Sequence, residues 1–494
     1  MTFRHSERKQ PPLQLRMKPW QWAVIVTEAV LLFGVLGALA WMLLLNPPGP
    51  VAQPQSAAHV ETAVPAMAPT DTPAPVLLAS STPPPTRTPQ PTNTRVVSRA
   101  AVNQAAIDRI EQQVVILRGL KPRSAVQTDF LSRLEMVTYI RNRDEAVRNE
   151  ITQGQALFRA LGLIQPDTQI DQNTAVTITA SSIAGFYDPK DKRLRVVSDL
   201  ENMGTDERVT LAHEYTHALQ DQYFDLAQYE QRIQTTDERL AMMAVPEGDA
   251  TVVMSLYLYG NTAQSDWEYL AYRATFADVS TMITATGIST RTGQIEYFAY
   301  VQGAQFVAAL VLDGKGWTEV NHTYADPPRT TSQVMHPASY LTRHPTPVPV
   351  SLPDLRAALG KDWKRITSDT LGEYLASVHL DEFLNDPKRA EQAADGWEGD
   401  SFSLWHGPGN QQVFAWQIAW DTPRDVGEFF EAYTDLLRKR VGPNIKVERE
   451  STDTRWYSGV GGSGLIQKSR TGEQTLVLWA PDRVTVEKLL ALFR

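Results

Sequence analysis

Residues 20–45 constrain this chain more than any other stretch. From Trp20 to Leu45 they hold 26 residues with a single charge, Glu28. As a helix the run would be roughly 39 Å long, enough to cross a ~30 Å hydrocarbon core with some tilt. Arg4, Arg8, Lys9, Arg16 and Lys18 precede it, and no Lys or Arg follows until Arg87. The asymmetry predicts a transmembrane helix with residues 1–19 as a basic cytoplasmic tail, and hence a single-pass cell-membrane protein with an extracytoplasmic body. Two other readings stay open: a signal peptide cut after Ala38-Leu39-Ala40, and a helix buried in a soluble core. Residues 47–95 hold 13 of the 32 prolines, with too little apolar surface to offset ordering entropy, and read as an extended Pro/Thr-rich linker. The folded part is therefore expected within 96–494.

Composition narrows its chemistry. The absence of cysteine excludes disulfides, thiolate metal sites and cysteine nucleophiles. A formal charge of −9 argues against a nucleic-acid partner, which would need a basic face. Residues 96–165 read as mainly helical, with apolar positions such as Ile107, Ile110 and Val114, and then Phe130, Leu131 and Leu134, at three- and four-residue spacing. Residues 174–199 change to a β-like period, with runs at 176–180 and 194–197 and turn residues at 188–192 between them. From 205 to about 312 helical patterns return. Phe414, Trp416, Ile418 and Trp420 alternate as in a half-buried strand. The expected organisation is α+β: a mainly helical domain with a small sheet over 96–365, then a smaller α+β domain over 366–494. Gly459, Gly461, Gly462 and Gly464 lack the strand-to-helix setting of a phosphate loop.

The chemistry concentrates at Leu211-Ala212-His213-Glu214-Tyr215-Thr216-His217. Histidines four apart on a helix project from one face, so His213 and His217 can reach a single metal ion. Glu214 stands beside them to take a proton from a metal-activated water. A catalytic zinc ion needs a third protein ligand. Six residues past His217 stands Tyr223, so no third histidine is available there. Glu247, an acid inside an otherwise apolar helical stretch, is the best candidate, with Asp249 the alternative ligand. Asp249 and Asp221 are also placed to orient an imidazole from behind. For an oxyanion donor the candidates are His336, Tyr300 and Tyr297, then His322, each with a structural reading beside the catalytic one.

His213-Glu214-x-x-His217 followed by Glu247 on a later helix resembles the gluzincin metallopeptidases, the thermolysin-like class. The wider pattern is similar to a membrane-tethered bacterial branch of unassigned substrate. It includes Gly185-Phe186-Tyr187-Asp188-Pro189, the stretch from His213 to Leu226, Glu247-Gly248-Asp249-Ala250, Tyr300-x-x-Gly303-x-x-Phe306 and Thr331 to Pro337. The resemblance implies a zincin-like fold, a bound Zn2+, a peptide or protein substrate, and a β-strand ahead of the zinc helix that holds an extended peptide. The expected function is peptide-bond hydrolysis with Glu214 as general base. The rival is a non-catalytic surface binding module on a degenerate protease fold.

Overall fold

The structure, a computed structural model, describes residues 99–141, 156–164, 183–261, 291–343 and 345–493. All of them fall in one compact unit. The tail, the apolar run over 20–45, the linker and the β-like run at 176–180 lie outside the described residues.

The first part is mainly helical. Helix α1 (Arg99–Arg118) leads to strand β1 (Gln127–Leu131) and α2 (Arg133–Arg141). A hairpin of β2 (Gly185–Asp188) and β3 (Arg193–Val197) follows, then α3 (Thr205–Phe224), α4 (Thr236–Asn261), α5 (Arg291–Leu310), α6 (Trp317–Ala325) and α7 (Thr331–Met335). The strands form one sheet in the order β1-β3-β2, with β1 parallel and β2 antiparallel to β3. Phe130 and Leu131 thus lie in a strand, although their spacing fits a helix. Parallel pairing with Val196 and Val197, a partner more than sixty residues away, overrides the local pattern.

α1 belongs to the core of this part. Ile107, Ile110 and Val114 pack with Val209, Leu211 and Leu219 of α3 and with Val253 of α4, whereas Ile116 points to solvent. At its end Arg118 Nε donates to Asp249 Oδ1 at 2.6 Å with both side chains fully buried, and Tyr324 OH donates to Asp249 Oδ2 at 2.8 Å. Asp249 is therefore occupied by a buried arginine and a tyrosine.

The second part is built on seven antiparallel strands. They are β4 (Lys364–Asp369), β5 (Trp397–His406), β6 (Gln412–Trp420), β7 (Lys446–Glu450), β8 (Thr454–Gly459), β9 (Gly462–Lys468) and β10 (Gln474–Ala480), in the order β4-β5-β6-β10-β9-β8-β7. Helices α8 (Gly372–Leu384), α9 (Pro387–Ala394), α10 (Pro423–Arg440) and α11 (Arg483–Leu490) complete it. The alternation in β6 is real, but both faces are covered. Phe414, Trp416, Ile418 and Trp420 join the core that contains Phe429 and Tyr433 of α10, while Val413 and Ala415 pack with Val486 and Leu489 of α11. His379 of α8 is buried there, bonded to Leu161 O and Tyr433 OH, and burial pulls its pKa down to about 3. It is a neutral core histidine.

The expected transmembrane helix must be corrected. Among the described residues no helix is long and apolar enough to cross a membrane. α4 has the length, but Asp237, Glu238, Arg239, Glu247 and Asp249 interrupt it, and a hydrocarbon core would not accept them unpaired. The architecture of the described residues is α+β with no membrane span among them, and they give the single-pass localisation no support.

Candidate metal centre

α3 begins at Gly204, whose N–H is bonded by Glu207 Oε2 at 2.9 Å, and Asp206 and Glu207 favour its positive end. Two to four turns on, His213, Glu214 and His217 all face inward. α4 crosses it and brings in Glu247. His213 Nε2 lies 3.3 Å and His217 Nε2 3.4 Å from Glu247 Oε2, and the two Nε2 atoms are 3.0 Å apart. For ligand atoms ~2.0–2.1 Å from a tetrahedral ion, neighbours should be about 3.3–3.4 Å apart. The three atoms therefore form a triangle close to one face of such a tetrahedron. Two nitrogens and a carboxylate oxygen are also a donor set that zinc accepts.

Gln220 decides which nitrogens face this point. Its Nε2 donates to Pro246 O at 3.0 Å, so its Oε1 must face His217 Nδ1, 2.8 Å away. An amide oxygen only accepts, hence His217 carries a proton on Nδ1 and the Nε2 lone pair is left for a metal. The same bond ties α3 to the residue before Glu247. Gln220 is fully buried and was not singled out by sequence reasoning. The available signal was its place three residues past His217, one turn further on the same face.

Two details of α4 shape the Glu247 position. Pro246 sits inside the helix and has no N–H for Met242 O, and Tyr229 OH donates to that carbonyl at 2.8 Å instead. Gly248 lies against Gly303 of α5: a Cβ there would come within 2.2 Å of the Gly303 backbone, and one on Gly303 within 2.3 Å of Ala244 O. This close crossing brings Tyr300 of α5 alongside the site, its ring stacked on His213 with centroids 5.9 Å apart.

Glu214 is buried, and Tyr187 N–H of β2 donates to its Oε2 at 2.9 Å. Burial pushes its carboxyl pKa up, against the pull of the two imidazoles. Glu247 behaves oppositely: burial disfavours its charge, but His217 and His213 overcome this and hold it below the usual carboxylate range. For His217 burial works downward, and Glu247 outweighs it to hold the imidazole at about 9. β2 is an edge strand among the described residues, with β3 on one side only. Its approach to α3 is fixed by Asp221, whose Oδ2 accepts from Tyr187 OH and from Lys192 Nζ, both at 2.7 Å. Asp221 thus orients the hairpin and not an imidazole. Beside His217 and Glu247 opens a small cavity of about 90 Å³, lined by Tyr187, Leu226, Tyr229 and Met243 among others. A larger one, about 760 Å³, lies behind α3 against Tyr215 and Glu111 and touches none of the site residues.

The remaining candidates stand elsewhere. His336 Nε2 is 2.9 Å from Glu373 Oε1, in a separate group with Asp395. His322 is exposed on α6, 4.0 Å from Glu319. The Tyr297 side chain is outside the described residues. The structure thus brings together His213, Glu214, His217, Glu247 and Tyr300, and gives His336 other partners.

A family model described as a domain of unknown function (DUF8575) matches residues 360–490, from β4 to the end of α11. No curated protein and no solved structure matches the chain. The group of His213, His217 and Glu247 lies outside the matched residues.

Proposed function

We propose that this chain is a zinc-dependent metallopeptidase acting on a peptide or protein substrate. The observation that carries the reading is the convergence of His213 Nε2, His217 Nε2 and Glu247 Oε2 at mutual distances of 3.0–3.4 Å, with Glu214 directly beside them. These three residues would hold the ion. When bound, it supplies a Lewis acid for the scissile carbonyl and lowers the pKa of water at its open position.

The protein's own residues do the rest. Glu214, with Oε2 held by the Tyr187 N–H, takes the proton of the attacking water on its other oxygen and returns it to the leaving amine. Its raised pKa brings proton uptake closer to neutral pH, which suits both steps. Gln220 keeps His217 in the ligating tautomer, and Tyr300 packs against His213 where it can also meet the substrate oxygen. A peptide laid along the open side of β2 would pass Glu214, and the 90 Å³ cavity would receive a side chain next to the reacting bond.

The test separates metal from chemistry. Glu214→Gln should lower cleavage of unstructured protein substrates or a mixed-sequence peptide library by about 10²–10⁴-fold while zinc content stays at the parent level. Unchanged cleavage in that variant would overturn the assignment of Glu214 as the base.

A further inference from the structure

A second set of ligand atoms lies where the helical part meets the seven-stranded sheet. His336 ends α7, Glu373 is in the first turn of α8, and Asp395 follows α9. His336 Nε2 is 2.9 Å from Glu373 Oε1 and 3.7 Å from Asp395 Oδ1. These separations bracket the ~3.3 Å expected between neighbouring ligands of a tetrahedral zinc ion.

A simple His336–Glu373 ion pair would account for Oε1 but not for the rest. Glu373 is 1% exposed, and its Oε2 is buried with no hydrogen-bond partner among the described residues. A buried carboxylate oxygen left unpaired is costly, which points to a ligand it would bind. The surroundings carry the wrong sign for it to be neutralised locally. Asp237 and Asp400 are both buried nearby, and Asp237 Oδ2 likewise has no partner among the described residues. Glu373 and Asp400 act together on Asp237, pushing its carboxyl pKa further up beyond the effect of burial. A protonated His336 offsets one negative charge here, whereas a divalent cation offsets two. The site is also open: the side chains of His336 and Asp395 are 41% and 68% exposed.

We propose that His336, Glu373 and Asp395 form a second metal site, separate from the first, which ties the end of α7 to α8 and α9. The imidazole selects a first-row transition ion such as zinc over calcium or magnesium, and water completes the coordination. By binding only the folded chain, the ion stabilises the joint between the two parts of the molecule.

Zinc titration of the full chain, followed by calorimetry and metal analysis, tests this. The parent should bind two zinc ions, Asp395→Ala should lose one, and Glu247→Ala should lose the other. Asp395 is a surface residue, so its variant should fold; a circular dichroism spectrum matching the parent is the control. His336→Ala should weaken the same ion by about tenfold or more. A parent that binds one zinc, abolished by Glu247→Ala and unaffected by Asp395→Ala, overturns the second site and leaves the first intact. A single zinc that survives Glu247→Ala and is lost in Asp395→Ala does the reverse.

Discussion

Gln220 joins the two ligand helices through one amide: it fixes the proton on His217 Nδ1 and grips the carbonyl of Pro246. The consequence is a site prepared for metal but protonated without it. In the metal-free chain Glu247 holds the His217 pKa at about 9, so the imidazole is charged at pH 7. Zinc needs it neutral, and binding must therefore expel a proton. Calorimetry at pH 7 in buffers of different ionisation enthalpy should show about one proton released for the ion that Glu247→Ala removes. Its affinity should fall about tenfold per pH unit below 9. Affinity independent of pH between 6 and 8 would contradict this. The two histidines and Glu214 were legible because i, i+4 spacing on a helix is a local fact, and Glu247 because an acid among apolar neighbours needs a partner. Gln220 was not, since its meaning depends on a carbonyl 26 residues away. Asp249 and Asp221 drew attention as acids near the motif, but their partners are Arg118 and Tyr324 in one case, Tyr187 and Lys192 in the other.

Helices set the distances that make these residues a site. α4 and α5 touch through backbone at Gly248 and Gly303, where neither position has room for a methyl group. Gly248→Ala should force the helices apart, shifting Glu247 from the imidazoles and Tyr300 from His213. The expected result is a loss of about 1–3 kcal/mol in urea unfolding, together with weaker zinc binding at the Glu247 site. An unchanged unfolding midpoint and unchanged zinc affinity would show that the crossing does not position the ligand. The glycines were visible in sequence as part of two short patterns, but their pairing was not. Strand β1 was hidden for the same reason: its helical spacing yields only to a parallel partner far along the chain. β6 was readable as a strand, while the burial of both its faces follows from helices at distant positions.

At the scale of the molecule, the described residues share one compact unit in which the helical part and the sheet are packed around a continuous core. α1 is bound into it by the buried Arg118–Asp249 pair. The family match describes the sheet and its helices, so the proposed peptidase site on α3, α4 and α5 lies outside it. The zinc content of the full chain, measured after refilling and dialysis beside Glu247→Ala, tests that most directly. The account predicts one zinc fewer per chain in the variant than in the parent. Equal zinc contents in the two would contradict it.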